Sequence, residues 1–178
     1  YREGEAAHLV FAGGDVVQPL QRRPLQSGER KQGTTVRAWP DARYFDSPHL
    51  PLGELVHLLR SKAVLMPGVS VTLANEKTRD TQTWQYKGGL KDYLEQSLAT
   101  DPLLPLLEGA GFADAQDDSF AQGEGAAWCL AFTEQGAVLR ESYVNLIPTV
   151  AGGTHESGLR DGLFQAVKNF IELHSLLP

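Results

Sequence analysis

The sequence predicts an α+β fold, and three observations carry that prediction. Short runs of β-branched and apolar residues alternate with glycine and proline punctuation, as strands do. Apolar residues recur at helical spacing over about 52–66, 90–99 and 154–173. The first part of the chain runs two strands, helix, two strands, an order that suits helices layered on one face of a sheet. The chain has 178 residues, enough for one domain or parts of two. A folded chain of this size buries roughly 70% of its unfolded surface, so no disulfide is needed. The one cysteine, Cys129, lies in the apolar run Ala126–Phe132 and reads as a buried small hydrophobe. The formal net charge of −6 argues against a large basic face that would grip DNA. No apolar run approaches a membrane span. No signal peptide is present, and with so little cysteine a cytoplasmic home is expected. The chain opens at Tyr1, without a methionine, in what reads as a strand, so a fragment is expected.

Taken in order, Arg2–Glu5 is a turn, His8–Phe11 an apolar strand, and Gly13-Gly14-Asp15 the next turn. Pro19 and Pro24 interrupt a polar stretch, Gln21-Arg22-Arg23 reads as a solvated strand edge, and Ser27–Lys31 as an exposed loop. Thr34–Trp39 is predicted as a strand. Pro48 and Pro51 frame the entry to a helix over about Leu52–Met66, with Leu52, Leu55, Val56, Leu59, Ala63 and Met66 on one face. Pro67-Gly68 stops it. His57, among apolar neighbours, is expected to be packed and hydrogen-bonded. Val69–Ala74 and Thr81–Tyr86 read as strands around the charged turn Asn75–Asp80. Gly88-Gly89 is the best boundary, followed by a helix over Leu90–Ala99 with Leu90, Tyr93, Leu94 and Leu98 on one face; Asp101-Pro102 ends it. Leu103–Gln122 lacks a period and is expected to be a solvated, mobile loop. Its acidic residues Asp114, Asp117 and Asp118, with Glu124, lack the alternation and central glycine of a calcium loop. Ala126–Thr133 and Val138–Val144 are predicted to form a hairpin around Glu134–Ala137.

The stretch Glu141–Arg160 organises the chain: a strand ended by Pro148, a glycine turn at Gly152-Gly153, then a helix over about Thr154–Leu173. Leu159, Leu163, Val167, Phe170 and Ile171 form its apolar stripe, and Thr154 is the expected N-cap. Such a junction suits an anion, but an ordinary capped turn accounts for the same residues. Other chemistry is missing from the pattern. Ser142, His155 and Asp161 have no nucleophile elbow, and Glu141, His155 and His174 lack metal-ligand spacing. No Walker-type phosphate loop is present. Composition and spacing alone stop at a soluble α+β protein.

The order of residues goes further. Tyr143-Val-Asn-Leu-Ile-Pro-Thr-Val-Ala-Gly-Gly-Thr-His155, with Gly158-Leu-Arg160, resembles the transducer junction of the B subunit of bacterial type IIA topoisomerases. Gly33-Thr34-Thr35-Val36-Arg37-Ala38-Trp39-Pro40-Asp41 is similar to a Gly-Thr-x-Val-x-Phe-Trp-Pro-Asp motif of the same proteins, with Ala38 in place of the aromatic. Phe45-Asp46-Ser47-Pro48, the Lys62–Val69 stretch and Asn145-Leu146 look more like the topoisomerase IV branch than gyrase. The resemblance covers nearly the whole chain. It implies the C-terminal part of a GHKL-type ATPase sandwich over 1–88, followed by the first part of an α/β transducer domain over 89–178. It implies ATP and Mg2+ as ligands of the parent protein. The implied partners are the A subunit of topoisomerase IV, a second B subunit in an ATP-dependent dimer, and DNA held by other regions, with no membrane. By the same resemblance the catalytic glutamate, the magnesium-binding asparagine, the adenine-reading aspartate and the ATP lid precede Tyr1, and the γ-phosphate lysine follows Pro178. The isolated chain is therefore expected to be inactive, with no catalytic residue and no metal ligand of its own. Thr34 is implied to contact the adenine, Val36 to line the pocket and Arg2 to sit at its rim. Thr154 and His155 are implied to be structural. Two hypotheses follow: part of an ATP-driven, strand-passing enzyme, or a non-enzymatic α+β module that binds a partner. A glycine-rich lid before Tyr1 and a Gln-Thr-Lys loop after Pro178 would decide for the enzyme.

Overall fold

The computed structural model describes residues 1–47, 49–116, 118–135 and 139–176, so the expectations placed on Pro48, Asp117, Gly136, Ala137, Val138 and Pro178 fall outside the described residues. The chain divides into two units, Tyr1–Leu50 and Pro51–Pro178. Helices and strands are mixed, and among the described residues every sheet is a two-stranded antiparallel hairpin, in keeping with the α+β class.

The first unit is built on β1 (Glu5–Ala12) and β2 (Asp15–Pro24). Gly13 and Gly14 turn between them with φ of 62° and 97°, which a side chain would resist. The ladder slips near Pro19, where a residue without an N–H cannot contribute a ladder bond. Arg23 and Glu29 form a forked ion pair that ties β2 to the following loop, and this hydrogen bond holds the Glu29 carboxyl down at about 2. The expected strand at Thr34–Trp39 is not formed. A strand exists only through a partner, and among the described residues nothing pairs with this segment beyond Gly33. Val36 and Trp39 accordingly remain 83% and 80% exposed.

The second unit begins with α1 (Leu52–Leu65), as the periodicity predicts. Then come β3 (Val71–Asn75) and β4 (Asp80–Trp84), paired from Val71↔Trp84 to Asn75↔Asp80. Gly68, at φ 85°, brings the chain out of α1 and donates its N–H to the Tyr86 carbonyl. After Gly89 comes α2 (Leu90–Ser97). Gly89 is buried, and a Cβ there would lie 3.1 Å from Pro67 Cγ at a φ of 58°, so glycine is required twice over. Ala63 and Val64 of α1, Tyr86, and Tyr93 of α2 form the core, with Val71, Trp84, Leu90 and Leu139 packed on it.

Beyond α2 the structure corrects four expectations. Part of the supposed loop Leu103–Gln122 is a strand, β5 (Leu107–Phe112), paired with β6 (Gly125–Leu130). Gly109 and Gly111 hide it in the sequence; Gly109 makes room for the Trp128 ring, which lies 2.6 Å from where a Cβ would be. Because β5 occupies the ladder, β6 does not pair with the described part of 138–144. The stretch before Pro148 is likewise not one strand but a minimal hairpin, β7 (Tyr143–Val144) and β8 (Ile147–Pro148). Asn145 and Leu146 turn between them with φ of 46° and 71°, the positive pair a tight hairpin turn needs. Finally α3 spans Thr154–Leu173, as predicted, but Gly153 is its N-cap and no side chain caps it. Thr154 is the first helical residue, one place too late for its hydroxyl to act as the expected cap.

Candidate functional site

Tyr1 and Gly33 exchange two hydrogen bonds of 3.0 Å, which brings the start of the chain beside the segment carrying Thr34. Thr34 and Val36 lie along this uncovered segment, both exposed. Arg2 follows Tyr1 and is exposed, its guanidinium 3.0 Å from the Glu3 carboxylate. The three expected nucleotide-site residues thus belong to two segments that meet at the Tyr1–Gly33 pair. This set offers a hydroxyl, an apolar surface and a cation, and nothing in it activates water. Among the described residues no group of three His, Cys, Asp or Glu side chains could hold a metal ion.

The glycine junction is a polar knot. Glu156, in the first turn of α3, accepts from Ser142 Oγ at 2.5 Å and from Arg140 Nε at 3.1 Å. Those donors, Ser142 first, hold its carboxyl below the usual carboxylate range. Ser142 and Thr149 hydroxyls are 2.5 Å apart, and Thr149 Oγ1 meets His155 Nε2 at 3.3 Å. Gly152 takes a φ of 75°, and a Cβ on Gly153 would lie 2.8 Å from the His155 ring. Glu156 places a negative charge in the helix's first turn, where its dipole favours an anion, so the ordinary structural turn is what the sequence builds. His155 is exposed, with its ring beside Thr149.

A second polar cluster is not legible in the sequence. Arg60 on α1 donates to Tyr86 Oη at 2.7 Å and lies over the rings of Tyr93 (4.9 Å) and Tyr86 (5.9 Å). The Tyr86 and Tyr93 rings meet edge to face at 5.7 Å. Tyr93 Oη donates to Glu141 at 2.9 Å, and Tyr143 Oη donates to its other oxygen. His57, expected among apolar neighbours, is instead half exposed with Nδ1 3.9 Å from Glu141. A cavity of about 370 Å³ opens beside the cluster, lined in part by His57, Glu141, Tyr143 and Glu156. The one sequence signal is Arg60, a cation one turn from the apolar positions Val56 and Val64. Cys129 is half buried, and burial pushes its thiol up, which suits an inert side chain.

The fold is of the kind found in GHKL-type ATPase domains. A solved structure of the topoisomerase IV ATP-binding domain of Francisella tularensis, in complex with a small-molecule inhibitor, superposes with a TM-score of 0.59 at 26% identity, over 99% of this chain and 45% of that one. The family model described as DNA gyrase B matches residues 89–178, half of the chain, and the chain belongs to that family. Two similar curated proteins are the DNA topoisomerase 4 B subunits of Salmonella typhimurium (strain LT2), 41% identical, and of Escherichia coli (strain K12), 42% identical, each over 178 residues. Each alignment takes in 99% of this chain and 27% of the relative, so the chain spans about a quarter of the length of these relatives. Among the described residues no helix is long and apolar enough to cross a membrane.

Proposed function

We propose that this chain is a part of the ATPase subunit of a bacterial type II topoisomerase of the topoisomerase IV kind. The parent protein couples ATP binding and hydrolysis to DNA strand passage, and so to decatenation and relaxation. The observation that carries this reading is the 42% identity to the Escherichia coli topoisomerase 4 B subunit along 99% of the chain. In this proposal residues 1–88 are the end of the GHKL ATP-binding domain and residues 89–178 the start of the transducer. The start of the family match at Gly89 supports that division. The working protein is cytoplasmic, pairs with a second B subunit when ATP binds, and assembles with DNA and with an A subunit. Magnesium and most ATP contacts fall to other regions of the parent, and the isolated chain does not hydrolyse ATP.

Within this chain, Thr34 supplies one hydroxyl to the adenine edge or a bridging water, Val36 an apolar surface for the flat ring, and Arg2 a cation at the rim. The exposure of Thr34 and Val36 supports this, because both are open to a ligand. They sit two apart, a spacing that puts side chains on one face of an extended segment. The test is Thr34→Val in the complete B subunit, which keeps the shape and removes the hydroxyl. Binding of ATP-site inhibitors is expected to weaken by about 1–2 kcal/mol, or about ten-fold, by isothermal titration. Equal affinity at equal melting temperature would place Thr34 outside the pocket.

A further inference from the structure

Glu141 sits where three elements meet. One carboxylate oxygen accepts from Tyr93 of α2 at 2.9 Å and lies 3.9 Å from His57 Nδ1 of α1. The other accepts from Tyr143 of β7. The side chain is only 19% exposed. Burial first, and the hydrogen bond to Glu141 second, push the Tyr93 phenol up to about 12, and the same causes in the same order push Tyr143 up. Both tyrosines therefore stay protonated and act as donors at every physiological pH. Arg60 of α1 closes the cluster by lying over Tyr93 and bonding Tyr86. A second strut runs in parallel: Lys62 Nζ of α1 donates to the Leu146 carbonyl in the β7–β8 turn.

A half-buried carboxylate is a poor source of stability, since desolvating it costs about what its partners return. It is a good source of geometry. Two acceptor atoms taken by donors from two different elements admit one arrangement, and a shift of either element leaves a hydroxyl or a charge without its partner. Both hydrogen-bonded elements, α2 and β7, follow Gly88-Gly89; α1, which precedes it, is reached by the 3.9 Å approach of His57 and by Arg60 and Lys62. The crossing itself is packed, with Gly89 buried against Pro67, so it does not behave as a free linker. β7 then leads through Ser142, Thr149 and Glu156 into α3.

We propose that Glu141 is a positioning residue that ties α2 to β7 and holds His57 of α1 beside them, so that a displacement of α1 reaches the α3 junction as a rigid movement. This rests on the function proposed above. The chemistry is that of a shared acceptor: two phenol donors and one imidazole around a single carboxylate.

The test uses the complete B subunit with its A subunit, in three forms: wild type, Glu141→Gln and Tyr143→Phe. Three quantities are measured: ATP turnover with its KM, strand passages per ATP hydrolysed, and melting temperature. Glu141→Gln is expected to leave turnover and KM within about two-fold and to lower strand passages per ATP by about five-fold or more, the range of a site-to-site coupling. Tyr143→Phe removes one donor, keeps the ring and changes the ratio in the same direction; it carries the test if Glu141→Gln does not fold. An unchanged ratio in the folded variants overturns the proposal. So does a proportional fall in turnover and strand passage together with a lowered melting temperature, because that is the mark of a merely structural residue. If wild type shows no ATP-coupled strand passage, the function itself has failed, and this is seen before any variant is compared.

Discussion

Gly109, Gly111 and Gly125 lie on one β-ladder, and the same substitution, glycine to alanine, is expected to have three different effects there. At Gly111 a Cβ meets nothing within 4 Å, and the backbone is not in the left-handed region. Alanine then acts through the unfolded chain, by reducing its freedom, and stabilises by about 0.4–1 kcal/mol. At Gly109 the methyl would come 2.6–2.7 Å from Trp128 Cζ2 and Cε2. The half-buried ring must move, an overpacking that costs about 1–3 kcal/mol and leaves a net loss of up to roughly 2.5 after the gain expected at Gly111. At Gly125 the methyl would collide with the Gly111 carbonyl oxygen and lie 2.7 Å from Phe112 Cα. Both are backbone, so no side chain can give way and the two strands must separate, at a cost above about 3 kcal/mol. Urea unfolding followed by tryptophan fluorescence reads this order directly. With a slope of about 1–3 kcal/mol per molar, a change of 1 kcal/mol moves the midpoint by roughly 0.3–1 M. Midpoints that shift alike for Gly109→Ala and Gly111→Ala would refute the β5–β6 register, because that register alone puts Trp128 against one glycine and not the other.

The remaining predictions concern the two ends of the proposed relay. Glu156 has a depressed carboxyl in the folded chain, so its contribution is full above the ordinary value of 4.5 and fades as pH falls through its lower folded value. Protection factors in the first turn of α3, taken relative to the intrinsic exchange rate at each pH, should therefore fall as the solution is acidified below about pH 4.5, and Glu156→Gln should show the low protection at neutral pH; protection that stays constant on acidification would remove Glu156 from the knot. For Thr34→Val, the exposure of the residue means that melting temperature stays within the scatter of surface substitutions, about 0.5 kcal/mol, so that any loss of inhibitor affinity is a contact effect.

The parts of the fold legible in the sequence are those set by local periodicity. α1 and α3 are readable because their apolar residues repeat every three to four positions and proline or glycine marks their ends. β3 and β4 are readable because Val71, Leu73 and their neighbours alternate around a charged turn. β5 is not, because Gly109 and Gly111 remove the side chains that announce a strand while Gly109 serves the Trp128 ring opposite. The β7–β8 turn is not, because Leu146 is a poor advertisement for a positive φ. Thr34–Trp39 misleads for a different reason: its residue types suit a strand, but strand formation is decided by a partner. The candidate nucleotide residues Arg2, Thr34 and Val36 come from motif order, whereas Glu141, Tyr93 and their neighbours on α1 are far apart in sequence and meet only in three dimensions. No local pattern encodes such a cluster. Thr154 illustrates the limit of one residue: the helix begins where its residues predict, and the capping role passes to Gly153 because Thr154 is itself the first helical residue.

The most direct test of the central claim is an unlinking assay on the complete B subunit of which this chain is proposed to be a part, assembled with the proposed A subunit on interlinked circular DNA. The account predicts ATP-dependent release of single circles, with ATP consumed in step, and no release when a non-hydrolysable nucleotide replaces ATP beyond a single passage. Release that proceeds equally without nucleotide, or ATP turnover with no unlinking at any ratio of the two subunits, would contradict it.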